Sequence, residues 1–186
     1  MIRIISGKFK GRKLYLPKHL CARPTMDMAK EGLFNILEHR FLWAEVTWLD
    51  LFAGTGNMTY EALSRGAKHA TMVEKDKKCV QFIQNQIKNL NLDAQVTLIK
   101  QDVWNFIDKP ATAAYAIIFL DPPYRLPNQD KLILQLFEYG FVLSGGLVIL
   151  EHECGRSFES LCFFKGKRIY GSSAFSFFSY SDEYCL

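Results

Sequence analysis

No stretch of this 186-residue chain is long and apolar enough to cross a bilayer; its longest apolar run ends at Leu120 and falls far short of a span. The N-terminus, "MIRIISGKFKGRK", is basic, but no apolar signal-peptide core follows it. The five cysteines (Cys21, Cys79, Cys154, Cys162, Cys185) include no CxxC pair, and His19, His39, His69 and His152 share no ligand spacing with them or with one another. That scatter disfavours a disulfide framework and a zinc site, and no metal is expected. Repeats and low-complexity tracts are also absent. With 49% hydrophobic and 23% charged residues, the balance is globular and argues against wholesale disorder, and the length suits one sizeable core rather than two. These features lead us to expect a soluble, cytoplasmic protein, and nothing in them requires more than a monomer.

Acid is also missing from one place. Between Met1 and Met26 there are seven basic residues (Arg3, Lys8, Lys10, Arg12, Lys13, Lys18, Arg23) and no acidic one. The rest of the chain holds 16 basic residues against all 19 acids, so the net charge of +4 resides in the leading segment. Such a run reads either as a solvated basic hairpin or as an arm whose lysines and arginines displace counterions from nucleic-acid phosphates.

The opening "RIISGKFKGRKLYLP" alternates partly and contains Gly7 and Gly11, as a small β-hairpin would. In "RPTMDMAKEGLFNILEHRF", Thr25 or Asp27 could cap a helix with Leu33, Phe34 and Leu37 on its apolar face, weakened locally by Gly32. From Val46 strands and helices alternate. "VTWLDLF", "HATMVEK", "AQVTLIKQD", "AYAIIFLD" and "GGLVILEHE" read as strands; "NMTYEALSR", "DKKCVQFIQNQIKNLNL" and "QDKLILQLFEYG" read as helices. Parallel neighbours need crossover connections, so the expectation is an α/β, doubly wound, mostly parallel sheet. "FKGKRIYGSSAFSFFSY" would add two strands around Gly171-Ser172-Ser173 as a closing antiparallel hairpin. The pattern divides the chain into an extension over 1–45 and the main domain over 46–186.

Ligands of such sheets bind beyond the carboxyl ends of the strands, and "LDLFAGTGNM" lies where the first strand turns into its helix. Gly54 and Gly56 let backbone approach a ligand without a Cβ in between. Glu74 ends the second strand, where an acid can accept hydrogen bonds from ribose hydroxyls. The third glycine of a dinucleotide fingerprint is missing, and Asp50 before the loop would repel a pyrophosphate. Beside the sulfonium and ammonium of S-adenosylmethionine, Asp50 is favourable. Asp102, ending the third strand, offers an acceptor for an adenine amino group.

The fourth strand stops at Asp121-Pro122-Pro123-Tyr124. An exocyclic amino nitrogen is a poor nucleophile because its lone pair is delocalised into the base. Two acceptors on its two N–H groups draw it toward pyramidal geometry and aim the lone pair at a methyl group. Asp121 supplies a carboxylate, and Pro122, which has no N–H, supplies a carbonyl. Tyr124 supplies a face on which an extruded base stacks, worth about 1–3 kcal/mol. A diproline strand stop with tyrosine as packing is the plainer reading of the same residues.

"LDLFAGTG" together with "DPPY" resembles the class I S-adenosylmethionine-dependent methyltransferases that act on amino nitrogens. "RIISGKFKGRKLYLP", "RPTMDMAKEGLFNIL", "YEALSRGA" and "RIYG" extend the resemblance, over nearly the whole chain, to the bacterial family that methylates guanine N2 in 16S ribosomal RNA. That resemblance implies a seven-stranded methyltransferase domain over 46–186 and S-adenosylmethionine as cofactor. The loop Asp50, Phe52, Ala53, Gly54, Thr55 and Gly56 would hold the methionine part. Glu74 and Lys75 would lie at the ribose, Asp102 and Val103 beside the adenine, and Arg23 and Thr25 would help close the site. Asp121, Pro122 and Tyr124 would be catalytic. Arg3, Lys8, Lys10, Arg12, Lys13, Arg23, Pro123 and Tyr124 would meet ribosomal RNA, free or within a small-subunit assembly particle. Two positions depart from the family's usual pattern. Met28 stands where arginine is commoner, which affects an RNA contact, and Thr59 stands where glycine is commoner, a bulkier start to the helix near the cofactor. Other readings are a glutamine-N5 protein methyltransferase, disfavoured by the basic opening, an adenine-N6 methyltransferase, and a catalytically silent RNA-binding module of the same fold.

Overall fold

The computed structural model describes residues 1–17 and 27–181. Two short strands open the chain, β1 (Ile2–Arg3) and β2 (Lys13–Leu14), paired antiparallel with Ile2 opposite Leu14 and Arg3 opposite Lys13. Helix α1 (Asp27–Glu38) follows, then a single 3-10 turn at Trp43–Glu45. The predicted alternation then appears as β3 (Thr47–Leu51), α2 (Asn57–Ser64), β4 (His69–Glu74), α3 (Lys77–Asn89) and β5 (Val96–Lys100). It continues with α4 (Val103–Ile107), β6 (Tyr115–Leu120), α5 (Gln129–Glu138), β7 (Val142–Glu153), β8 (Phe164–Tyr170) and β9 (Ser173–Phe178).

Seven strands form one sheet in the order β5-β4-β3-β6-β7-β9-β8, and β9 alone runs against its neighbours. The expected closing hairpin is therefore placed with β9 inside the sheet and β8 at its edge. Of the described residues, no helix is long and apolar enough to cross a membrane.

Burial on both faces explains the near-continuous apolar strands. Successive side chains alternate, so Trp48, Met72, Ile117 and Phe119 pack with α1, α2 and α3, while Leu49, Leu51, Val73, Ile118 and Leu120 pack with α4 and α5. Trp48 is fully buried, stacked between Phe34 of α1 at 5.8 Å and Phe119 of β6 at 6.1 Å. Aromatic pairs of this kind add about 0.5–1.5 kcal/mol each beyond the area they bury. Gly32, which weakens α1 on propensity grounds, is where Tyr170 of β8 lies against that helix; a Cβ there would meet the tyrosine ring at 2.5–2.7 Å.

The hairpin is docked along α2. Glu61, fully buried on that helix, accepts hydrogen bonds from the N–H groups of Ile5 at 2.7 Å and Ser6 at 3.0 Å. The Lys8 N–H donates to the Ser64 carbonyl, and the Phe9 N–H donates to the Ser64 hydroxyl. Lys30 of α1 is also fully buried and donates through Nζ to the Arg3 carbonyl at 2.6 Å and to Asn57 Oδ1 at 2.9 Å. Desolvation lowers the Lys30 pKa, against the opposing pull of Glu61.

Candidate active site

The chain leaves β3, builds β4 and β5 to one side, and returns to build β6 on the other. The switch point of the sheet is therefore the gap between the carboxyl ends of β3 and β6. In register, Leu51 lies opposite both Val73 and Leu120. Strands sit about 4.8 Å apart, so Phe52, Glu74 and Asp121 emerge level with one another across roughly 10 Å. Alternation also puts Asp50 and Glu74 on the α2 face of the sheet, in line with Trp48 and Met72.

A cavity of about 410 Å³ occupies this point, a size suited to a small-molecule ligand. Its walls include Asp50, Phe52, Ala53, Gly54 and Thr55 from β3 and its loop, Glu74 and Lys75 from the end of β4, Val103 from the start of α4, and Asp121, Pro122, Pro123 and Tyr124 from the end of β6. Ile2 and Leu16 of the N-terminal hairpin also face it.

The loop is held in an uncommon shape. Phe52, Gly54 and Gly56 all have positive φ, at 65°, 56° and 80°. For a bulky residue such as Phe52 that conformation costs on the order of 1–3 kcal/mol and marks functional turns. The Gly54 N–H donates to Glu74 at 2.7 Å, and the Gly56 N–H closes the turn onto the Ala53 carbonyl at 2.7 Å. The two glycines do different work. A Cβ on Gly54 would find only the Phe52 carbonyl, at 3.8 Å, and would intrude on the ligand space; one on Gly56 would strike Met72 and Tyr60 at 2.7–2.8 Å. Gly54 serves the cavity, whereas Gly56 serves the packing beneath it and lies outside the cavity wall.

Glu74 bonds to the Gly54 N–H through one oxygen and to the Asp76 N–H at 2.8 Å through the other, which fixes the carboxylate at the wall where paired hydroxyls would meet it. Asp50 is 2% exposed and accepts a hydrogen bond from Thr59 Oγ at 2.5 Å. Burial pushes its pKa up to about 7, against the lowering effect of the Thr59 bond. Thr59 lies under the cavity rather than in its wall, so its role is as a partner for Asp50 and not as bulk beside a cofactor. Cys79 faces the same cavity, and burial pushes its thiol up to about 12, so it is chemically quiet.

Asp102 differs from expectation. It does not end a strand but caps α4, accepting from the Trp104 N–H at 3.0 Å, and its other oxygen pairs with Lys75 Nζ at 2.9 Å. Its carboxylate is not in the cavity wall, which Gln101 and Val103 form on either side of it. Arg3, Lys8, Lys10, Arg12 and Lys13 are exposed on the hairpin, outside the cavity. Arg23 and Thr25 lie outside the described residues. Met28 is 65% exposed on α1.

At the end of β6, Pro122 is buried and Asp121 and Tyr124 are half-buried. The Leu126 N–H closes the turn on the Pro123 carbonyl at 2.7 Å. Tyr124 Oη lies 3.3 Å from the Ser173 hydroxyl, tying the ring to the start of β9. Sequence reasoning missed Ile2 and Leu16 in the wall, and Glu61 with Lys30 beneath the hairpin. An acid on the apolar face of α2 and a lysine among the core positions of α1 were the available signals.

A sheet with one reversed interior strand, a strained glycine loop at its switch point, and strand-end acids around one cavity define an S-adenosylmethionine-dependent methyltransferase of class I. Gly54 without a Cβ, the fixed Glu74 carboxylate and the buried acid Asp50 fit that cofactor. The family described as conserved hypothetical protein 95 matches residues 2–179, and this chain belongs to it. Among its relatives are the ribosomal RNA small subunit methyltransferases D of Escherichia coli K12, 37% identical over 82% of this chain and 75% of that one, and of Haemophilus influenzae, 34% identical over 82% and 79%. The solved structure of a hypothetical protein from Thermus thermophilus superposes with a TM-score of 0.83 at 29% identity, covering 96% of this chain and 99% of that one.

Proposed function

We propose that this protein transfers a methyl group from S-adenosylmethionine to the exocyclic N2 amino group of a guanine in small-subunit ribosomal RNA. The observation that carries the reading is the placement of Asp121, Pro122 and Tyr124 across the switch point from the Gly54 loop, on the wall of the same cavity. The names of the relatives and the exposed basic hairpin beside that cavity support ribosomal RNA as the substrate.

The cofactor, when bound, supplies an electrophilic methyl group on a sulfonium. Everything else falls to the chain. Asp50 and Glu74 provide for positive charge and for ribose hydroxyls at the loop. The Asp121 carboxylate and the Pro122 carbonyl accept the two N–H groups of the base, which weakens the conjugation of the nitrogen and holds its lone pair in one direction. Tyr124, steadied by Ser173, stacks on the base. The nitrogen must shed one proton on methylation, and the Asp121 carboxylate is the acceptor beside it. Rate comes chiefly from positioning.

Replacing Asp121 with alanine should lower turnover on ribosomal RNA by about 10²–10⁴-fold. Calorimetric titration should show cofactor affinity within a fewfold of wild type. Turnover near the wild-type value would remove Asp121 from the chemistry.

A further inference from the structure

The basic hairpin is not a loose tail. Its backbone is fastened to α2 at Ile5, Ser6, Lys8 and Phe9 by Glu61 and Ser64, and it runs alongside the helix so closely that a Cβ on Gly7 would lie 1.8 Å from the Ser64 carbonyl oxygen. One end faces the cavity through Ile2 and Leu16, and the helix begins there with Asn57, also in the wall. The other end, the tip, sits at Ser64, the far end of the helix. The eight residues of α2 separate the two by about 10 Å.

The tip gathers like charges. Lys8 Nζ and the Arg12 guanidinium lie 4.9 Å and 5.3 Å from the centroid of the same Phe9 ring. Lys8 Nζ also reaches Gln95 Oε1 at 2.8 Å, just ahead of β5, and Lys10 is exposed in the same turn. Among the described residues no carboxylate pairs with Arg3, Lys8, Lys10, Arg12 or Lys13. Glu61, beneath the hairpin, is buried and occupied by backbone amides, Arg65 and Lys30.

We infer that the hairpin tip is a fixed phosphate anchor. It would grip the RNA backbone at a set distance from the cavity, so that the substrate is selected by the spacing between a phosphate group and the base presented for methylation. This rests on the reading of the cavity as a site for an RNA base. With lysine side chains extending beyond the helix end, the span is about 10–15 Å, or three to four stacked nucleotides at roughly 3.4 Å each. An RNA shorter than this reaches the cavity or the tip but not both.

The test uses single-stranded RNAs of three, six and nine nucleotides with one terminal guanine, prepared with that guanine at either end, and measures affinity by fluorescence anisotropy across salt concentrations. The wild-type protein should show a step in affinity between three and six nucleotides for one polarity. Three phosphate contacts on a single strand correspond to a salt slope of about 2 and to an affinity gain of about 50-fold at 0.15 M salt. The triple variant Lys8→Gln, Lys10→Gln, Arg12→Gln should lose both the step and that part of the slope while melting at the wild-type temperature. The same number of charges removed from the sheet edge, at Lys165, Lys167 and Arg168, should leave the step in place. A smooth rise with length, a step that survives the tip substitutions, or an equal loss in the sheet-edge variant would each overturn the anchor. A step that persists when the guanine is replaced by inosine supports the anchor even where the amino-group reading fails.

Discussion

Glu61→Gln tests how the hairpin and the active-site helix are joined. The wild-type carboxylate accepts from Ile5 N–H, Ser6 N–H and Arg65 Nε at 2.7, 3.0 and 2.9 Å, with Lys30 Nζ at 3.8 Å, and both Glu61 and Lys30 are fully buried. Glutamine has nearly the same shape but one acceptor oxygen, so its –NH₂ must face at least one of these donors. It also removes the negative charge opposite two buried cations. Breaking a buried ion pair from one side costs about 3–5 kcal/mol. Arg65 keeps Glu38 and its place over the Phe34 ring at 5.1 Å, which puts the expected cost toward the lower end. For a chain of this length each kcal/mol moves the melting temperature by roughly 2–4 °C, giving a drop of about 6–12 °C at 3 kcal/mol. Circular dichroism melts measure it. A drop below about 2 °C would refute the joint.

The loop and the hairpin give three further outcomes. A carboxyl whose pKa is raised in the folded state stabilises that state in acid, and the contribution disappears as pH rises from about 4 through about 7, the position of Asp50. Asp50→Asn has no such titration, so the wild type should lose about 1.4 kcal/mol per pH unit relative to the variant across that window. A cationic ligand beside Asp50 favours its ionised form, so cofactor affinity should rise from pH 5 to 8 in the wild type only; parallel profiles for the two proteins would show that Asp50 does not titrate there. Gly7→Ala places a Cβ against the Ser64 carbonyl at a φ of +80° and should lift the hairpin from α2. Hydrogen exchange should quicken at the Ile5, Ser6 and Lys8 amides by about 5- to 150-fold, as a cost of 1–3 kcal/mol implies; unchanged protection would count against the docking.

The alternation from β3 to β7 was legible because strands buried on both faces are continuous apolar runs and the helices between them carry one apolar stripe. That Gly54, Glu74 and Asp121 share one cavity was legible too, since each stands just past the end of such a run, where a glycine or an acid interrupts it. What was hidden lies one layer deeper. Helix α4 begins just after Asp102, which looked like the end of a strand, and only its cap on Trp104 reveals the turn. Strand β7 begins at Val142, three residues before the Gly145-Gly146 pair that suggested its start. Its pairing with β6 shifts register between Tyr115 and Ile117, so strand and turn signals overlap there. Thr59 reads in sequence only as a bulkier start to α2, and Glu61 as one more residue of that helix. Their partners, Asp50 nine residues before Thr59 and the amides of Ile5 and Ser6 more than fifty residues before Glu61, come together only in the fold.

The amino-group holder at the end of β6 is tested most directly by removing the amino group alone. Two ribosomal RNA fragments, identical except that inosine replaces the guanine that accepts methyl, would be incubated with the protein and S-adenosylmethionine labelled in its methyl group. Label should enter the guanine fragment and fall to background in the inosine one, while the two bind with affinities within a fewfold. Equal labelling of both would show that the methyl group goes elsewhere and that Asp121 and Pro122 do not hold an exocyclic nitrogen.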